Sequence, residues 1–213
     1  MSTIYIISAP SGAGKTSLVK GLCNSLTFIK PSVSYTTRKV RKSEVDGKDY
    51  FFVSRENFEE KISNNDFLEY QDVYGNMYGS TLESVNTITS HGSDVVLEID
   101  YKGMLAVKRE LPHAISVYIT PPSIETLKER LLKRGEDTEE VINKRMASSF
   151  HEMTYAKYAD YMVINDNYDD ALSLLKGIIL LNRINHRQLS SWANYINKIN
   201  NRIVSKVLSD TMI

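Results

Sequence analysis

The stretch Ile4-Tyr5-Ile6-Ile7-Ser8-Ala9-Pro10-Ser11-Gly12-Ala13-Gly14-Lys15-Thr16 governs the reading of the chain. Residues 4–8 are almost continuously apolar, which predicts a strand buried on both faces. The next eight follow the phosphate-loop (P-loop) template of Gly, four residues, Gly-Lys, then Ser or Thr, with Ala9 in place of the first glycine. Alanine tolerates many tight turns, so the departure is mild. Helical spacing takes over across residues 16–26. The residue types suit an anion. Gly12 and Gly14 let backbone N–H groups turn inward without a Cβ in the way. A helix starting near Lys15 aims the positive end of its dipole at the same place. Lys15 adds a mobile cation for β- and γ-phosphates, and the Thr16 hydroxyl is a ligand type for Mg²⁺. The expectation is a site for a nucleoside triphosphate with Mg²⁺. An NTPase motor, a GTPase switch and a small-molecule kinase all remain open on this evidence alone.

Outward from this stretch, short β-branched runs recur at 32–37, 94–100, 114–120 and 161–165, with helical patterns such as 123–134 between most of them. Apolar strands separated by helices predict βαβ units, hence an α/β fold with a parallel sheet flanked by helices. Two regions break the rhythm. Residues 34–81 are rich in Tyr, Gly, Asp and Asn and carry only short strand-like pieces such as 49–54, which predicts a lobe inserted in the core. Residues 124–151 are dense in Arg, Lys and Glu without a strand signal, which predicts a helical flap. Pro121-Pro122-Ser123 punctuates its start, with Ser123 as the N-cap. The core is then expected from 1–33, 82–123 and 152–190. In the tail, apolar residues fall at 189, 192, 196, 199, 203 and 207, the spacing of an amphipathic helix over 191–213. Such a helix folds onto its own core or packs against a second subunit, so a homo-oligomer is one expectation.

A length of 213 residues allows one full core with a small appended lobe. Apolar residues at 42% and charged residues at 24% lie near globular averages, which excludes disorder, collagen and coiled-coil rods as whole-chain readings. Twenty-six basic residues cancel 26 acidic ones, which argues against bulk electrostatic binding to nucleic acid or an anionic membrane. Cys23 is the only cysteine, so there is no intramolecular disulfide framework and no cysteine-based zinc site, and a cytoplasmic location fits. His91, His113, His151 and His186 are scattered without metal-ligand spacing. The longest apolar runs, 95–97 and 178–181, fall far short of the roughly 20 residues of a bilayer span. No basic segment precedes an apolar one at the N-terminus, so no signal peptide is expected.

A second site is expected within residues 34–50. Arg38 and Arg41 lie three apart and Tyr50 follows. Two guanidinium forks can grip a phosphate dianion, and a tyrosine hydroxyl adds a neutral donor. An Arg-x-x-Arg pair alone reads more simply as a solvated basic loop or a nucleic-acid patch. Its neighbours change that reading: Phe67-Leu68-Glu69-Tyr70, then Tyr74-Gly75-Asn76-Met77-Tyr78-Gly79-Ser80-Thr81, then a strand ending in Glu98-Ile99-Asp100. The guanine signature Asn-Lys-x-Asp of switch GTPases is missing, since the nearest string, Asn165-Asp166-Asn167-Tyr168, has no lysine.

Taken together these blocks resemble the guanylate kinases, P-loop enzymes that phosphorylate GMP with ATP. The resemblance rests on Ser8 to Lys15, Val33 to Arg38 with Arg41, Gly47 to Val53, Phe67 to Glu69, Tyr74 to Ser80, Ile99 to Gly103, Pro121 to Ser123, Leu127 to Gly135 and Asn143 to Met146. It runs from about residue 3 to about 183 and does not cover the tail. It implies a P-loop NTPase-type core, a GMP-binding lobe at 34–81 and a lid at 124–151. It also implies ATP on residues Ala9 to Ser17 and Arg130, with Mg²⁺ at Thr16 and, through water, at Asp100. Arg38, Arg41, Tyr50 and Tyr78 would hold the GMP phosphate. Ser34, Glu69, Ser80 and Asp100 would surround the guanine. Lys15, Arg134 and Arg145 would carry catalysis, the two arginines reaching the transferring phosphoryl group from the lid. Asn165 could touch adenine. dGMP is an expected second acceptor. Glu98 stands where the family has Asp, which puts a role for it in doubt.

The role given to Glu69 makes chemical sense. A carboxylate accepts from both N1–H and the exocyclic amine of guanine, whereas adenine would face it with an acceptor. Three other readings compete. A scaffold module that has lost its nucleotide site is disfavoured by the intact loop with Lys15. A kinase for a different acceptor nucleotide is disfavoured by the Ser34, Glu69 and Ser80 set. Nucleic-acid binding through residues 38–42 is disfavoured by the balanced charge.

Overall fold

A computed structural model of the chain describes residues 2–42, 44–73, 75–134 and 139–184. The chain divides into two compact units. The first, Ser2–Leu175, contains both sheets described below. Of the second, residues 176–184 are described and are helical. The amphipathic helix expected over 191–213, and any self-association through it, lie outside the described residues.

The main sheet is parallel and five-stranded. Its strands are β1 (Ile4–Ser8), β2 (Ile29–Pro31), β7 (Asp94–Glu98), β8 (Ile115–Thr120) and β9 (Tyr161–Ile164), in the order β2-β7-β1-β8-β9. Helices α1 (Lys15–Ser25), α3 (Leu82–Ser90) and α4 (Tyr101–Glu110) connect and cover these strands. Tyr5, Ile6, Ile7, Val95, Val96 and Leu97 are wholly inaccessible. Continuous apolar runs are what a parallel sheet covered on both faces requires, and the expected α/β architecture is the one found.

Of the strand expected at 32–37 only Tyr35–Thr36 is found, and a separate short strand precedes it. Ile29–Pro31 closes one edge of the main sheet, and the Ser32 N–H makes the last bond across to Val96 C=O at 2.9 Å. Proline is tolerated there because an edge strand needs only one side of its ladder. The chain then leaves for a second sheet, β4-β3-β6-β5, built from β3 (Tyr35–Thr36), β4 (Phe51–Phe52), β5 (Phe67–Val73) and β6 (Asn76–Thr81). Residue alternation reports a strand but not which sheet the strand joins. The second sheet has its own small core. Phe58 of α2 (Arg55–Ser63) is fully buried and stacks on Phe67 with ring centres 4.4 Å apart.

The run expected at 94–100 stops at Glu98, because Asp100 is the N-cap of α4 and accepts from the Gly103 N–H at 2.8 Å. Residues 124–151 contain α5 (Ile124–Arg134) and most of α6 (Glu139–Met153). Ser123 caps α5 as expected, its hydroxyl accepting from the Thr126 N–H at 3.1 Å. Leu127 and Leu131 of α5 pack with Ile142 of α6. They also lie against the phosphate loop: a Cβ added at Gly12 would meet both leucines at 3.0 Å. Among the described residues no helix is long and apolar enough to cross a membrane.

A polar clamp ties β8, β9 and α4 together. The Asp160 carboxylate accepts from the Ser116 N–H at 2.8 Å, the Ser116 hydroxyl at 2.8 Å and Lys108 Nζ at 2.9 Å. Burial alone would raise its pKa, but the bonds from Ser116 and Lys108 win and hold it below the usual carboxylate range. The ionised form is therefore the one that stabilises the fold. That contribution is present at neutral pH and is lost as pH falls below the unfolded value near 4. Asp160→Asn should destabilise the protein by about 1–2 kcal/mol at pH 7, a figure reduced for partial solvent access. Urea unfolding at pH 7 and at pH 3 checks it, with the difference from wild type expected to be smaller at pH 3.

Candidate active site

The carboxyl ends of β1 and β7 open into a cleft of about 420 Å³. Ligands of open parallel sheets bind at this end, where the connections from neighbouring strands diverge. One wall is the loop after β1. Gly12 and Gly14 adopt left-handed φ values of 89° and 91°, and Gly14 is the N-cap of α1 with no side-chain cap. The first N–H groups of α1 are thus left to a ligand. Ala9 is not among the residues with positive φ. The position therefore needs no glycine, which explains the departure from the template.

Around this loop, Pro10, Ser11, Lys15, Thr16 and Ser17 line the cleft, while Ala13 is buried behind it. The Ala13 carbonyl accepts from Asn165 Nδ2 at 2.7 Å. Asn165 is thereby tied to the loop backbone. Lys15 Nζ donates to the Ile99 carbonyl at 2.8 Å, between the two carboxylates that end β7. The Thr16 hydroxyl donates to Glu98 Oε1. Arg130 of α5 reaches across to the carbonyls of Asn165 (2.9 Å) and Asp166 (3.3 Å). Its second terminal nitrogen is buried without a hydrogen-bond partner among the described residues. Arg145 of α6 also lines the cleft. The side chain of Arg134 lies outside the described residues.

The opposite wall is the second sheet. Ser34, Arg41, Tyr50, Glu69 and Tyr78 line it, and Asp100 closes the floor. Arg38 and Ser80 stand one layer behind. Ser80 is fully buried, and its hydroxyl lies 3.1 Å from that of Ser34. Its N–H donates to Glu69 Oε1 at 3.1 Å. Arg38 Nε donates to the Tyr78 hydroxyl at 3.1 Å, and its fork grips both oxygens of Glu44 at 3.0 and 2.8 Å. Glu44 also accepts from the Arg41 N–H at 2.9 Å. Burial would raise the Glu44 pKa, but these bonds win and lower it. Burial, reinforced by the nearby Glu98 charge, pushes the Tyr50 phenol above its ordinary range and keeps it a neutral donor.

Glu69 is the anomaly. It is only 6% exposed, and among the described residues no cationic side chain is hydrogen-bonded to it. Burial raises its pKa to about 7; bonding from Ser80 opposes the rise and the Asp100 charge adds to it. A Cβ at position 103 would lie 2.8 Å from Glu69 Oε2, so Gly103 is what lets α4 approach this carboxylate. A buried, imperfectly compensated carboxylate in a cleft marks a candidate functional group.

A family model described as "Guanylate kinase" matches residues 1–181. The chain belongs to the guanylate kinase family. It is 48% identical over 185 residues to guanylate kinase of Escherichia coli strain K12, a match covering 85% of this chain and 89% of that one. It is 46% identical over 175 residues to guanylate kinase of Thiobacillus denitrificans, covering 82% and 84%. Among solved structures, guanylate kinase from Anaplasma phagocytophilum superposes with a TM-score of 0.69 at 28% identity, covering 85% of this chain and 86% of that one.

Within this family frame, the sequence reading missed Glu44. Its position, three residues after Arg41 and six after Arg38 in a loop, carried the only signal, and only the fold turns that spacing into a grip. Glu98 was left in doubt and is found on Thr16. Gln71 and Val73, which also line the cleft, carried no signal at all.

The raised pKa of Glu69 has a sign. The unfolded group ionises near 4.5 and the folded one near 7, so the free protein loses stability as pH rises through that window. Glu69→Gln should therefore raise the Tm of the ligand-free protein at pH 8 and leave it nearly unchanged at pH 4.5. Differential scanning calorimetry at the two pH values checks this.

Proposed function

We propose that this protein transfers the γ-phosphoryl group of ATP to GMP, giving ADP and GDP. The observation that carries the reading is the buried Glu69 facing a phosphate loop across one cleft. Its ionised form accepts from N1–H and the exocyclic amine of guanine. Adenine would leave buried groups unpaired, at about 1–3 kcal/mol each. A site of this kind can discriminate by about 10⁴.

The reaction forms a bond between a GMP phosphate oxygen and the γ-phosphorus and breaks the bond from that phosphorus to the β–γ bridging oxygen. ADP leaves with the electron pair. No protein nucleophile is needed, because phosphoryl transfer depends on in-line placement and charge neutralisation. The loop from Ala9 to Ser17 would cradle the ATP phosphates. Lys15 would exchange its bond to Ile99 for the β- and γ-oxygens. Arg130, with a buried nitrogen still unpaired, together with Arg134 and Arg145, would take up the charge that develops on the transferring group. Arg41, Tyr50 and Tyr78 would hold the GMP phosphate, with Arg38 steadied behind them by Glu44. Ser34, Ser80 and Asp100 would join Glu69 around the base.

Mg²⁺ fits the donor set. Thr16 and Glu98 are hydrogen-bonded partners at the mouth of the loop and offer hard oxygens, and one Asp100 oxygen is not used by the α4 cap. Among the described residues there is no cluster of three or more metal-binding side chains. That agrees with an ion held largely by nucleotide phosphates and water. Bound there, Mg²⁺ neutralises charge on the β- and γ-oxygens.

In this reading residues 34–81 form the acceptor lobe and 124–151 the lid. Residues 1–33, 82–123 and 152–190 form the core, and closure expels water that would otherwise hydrolyse ATP. A reducing, cytoplasmic setting suits the lone Cys23.

A coupled ADP-release assay with ATP and Mg²⁺ tests the reading. GMP should be the fast acceptor, and AMP, CMP, UMP and dTMP should fall below it by about 10³–10⁴ in kcat/KM. Lys15→Ala should lower kcat by about 10² or more with the fold intact by circular dichroism. Arg41→Ala should instead raise the KM for GMP, by about tenfold or more, with a smaller effect on kcat. Equal turnover of GMP and AMP would refute the assignment of the base pocket.

A further inference from the structure

Beyond these roles, the acceptor wall contains a group that none of them uses. β5 and β6 pair residue for residue along the cleft: Glu69 faces Ser80, Tyr70 faces Gly79, and Gln71 faces Tyr78. Residues two apart on a strand share a face and are separated by about 6.6 Å. Glu69, Gln71 and Val73 all line the cleft accordingly, whereas Tyr70 and Asp72 turn away and are exposed. The Glu69–Ser80 rung is the base end. The Tyr78 hydroxyl, held by Arg38 and set edge-on to Tyr50 at 5.9 Å, marks the phosphate end. In a nucleoside monophosphate the sugar joins those two ends. Gln71 stands opposite Tyr78 on the next cleft-facing rung, so a nucleotide with its base on Glu69 and its phosphate at the Tyr50 and Tyr78 hydroxyls runs from the first rung along the second and brings its ribose past Gln71.

Gln71 is half-buried there, and among the described residues its side-chain amide has no hydrogen-bond partner. An amide offers both a donor and an acceptor, and a ribose hydroxyl can use either. A carboxylate at this point would repel the incoming phosphate, and an aliphatic side chain would leave the hydroxyl unmatched. We infer that the Gln71 amide hydrogen-bonds a ribose hydroxyl of the acceptor nucleotide and so favours GMP over its deoxy analogue. The inference rests on the GMP-phosphorylating reading and adds the sugar to it.

The test measures kcat/KM for GMP, 2′-deoxy-GMP and 3′-deoxy-GMP at saturating ATP, in the wild-type protein, Gln71→Ala and Gln71→Met. The methionine variant keeps the length of the side chain without the amide, and thermal unfolding confirms that each variant folds. Wild type should prefer GMP over one of the two analogues by about five- to tenfold, the effect of a single neutral hydrogen bond. The analogue affected identifies the hydroxyl. Both variants should lower kcat/KM for GMP several-fold more than for that analogue, so that the preference falls toward one. An equal loss on all three acceptors would overturn the inference, because it would place the amide on the phosphate or in the packing of the sheet. No loss on any acceptor would overturn it as well. A folded wild-type protein inactive toward all three would overturn the transferase reading itself, and the sugar contact with it.

Discussion

An anion cradle made of backbone cannot be re-aimed by turning a side chain, so everything around it must hold the main chain still. In this protein the cradle depends on left-handed φ at Gly12 and Gly14. Three unrelated elements brace it. β1, itself largely buried, delivers the loop from the middle of the main sheet, with β7 on one side and β8 on the other. Leu127 and Leu131 of α5 press on Gly12. Asn165, at the end of β9, bonds the carbonyl of Ala13. The same α5 carries Arg130 and the same β9 exit supplies the carbonyls that orient it. The packing that fixes the loop therefore also fixes Arg130, a cation that lines the same cleft.

The acceptor side follows a different economy. Glu69 is buried where water cannot solvate its charge and where, among the described residues, no lysine or arginine is in hydrogen-bond contact. Left alone, such a carboxyl takes up a proton, and its pKa near 7 reflects that. In the free protein, ionisation of Glu69 is therefore penalised. On the proposed reading, a ligand that brings two N–H donors would relieve that penalty and one that brings an acceptor would deepen it. Selectivity for guanine and the loss of stability of the ligand-free protein as pH rises would then have one cause.

Much of this was legible in the sequence because it depends on local pattern. The phosphate loop, the apolar strands, the Ser123 cap and the two arginines all announce themselves within a few residues. The order of strands in the main sheet could be anticipated only as parallel, since the order of pairing is set by tertiary contacts. That the strand within 32–37 joins the second sheet, while a separate strand at 29–31 closes the first, was hidden, because alternation is the same whichever sheet a strand joins. Glu44 was hidden for a related reason. A glutamate in a charged loop looks solvated until the fold closes it onto Arg38. Glu98 and Gln71 are cases where residue type gave the wrong emphasis: the first seemed a departure from the family, the second an ordinary strand polar residue. Only geometry places one on Thr16 and the other in the cleft.

The same geometry separates two arginines that the sequence presented as a pair. Arg38 spends Nε on Tyr78, one nitrogen on both Lys39 C=O and Glu44, and the other on Glu44. Its face also lies over the Tyr50 and Phe52 rings at 5.5 and 5.6 Å. Few of its five N–H groups remain for a ligand. Arg41 shares Glu44 only through its backbone, and its guanidinium is exposed at the cleft. On the proposed reading, a phosphate dianion arriving between them would meet an exposed fork on one side and an already bonded one on the other. Arg38 would then act chiefly by holding the Tyr78 hydroxyl in place, and Arg41 by binding the ligand. Glu44 makes this division possible, because it grips the fork of Arg38 and takes only the backbone N–H of Arg41, whose guanidinium it leaves to the cleft.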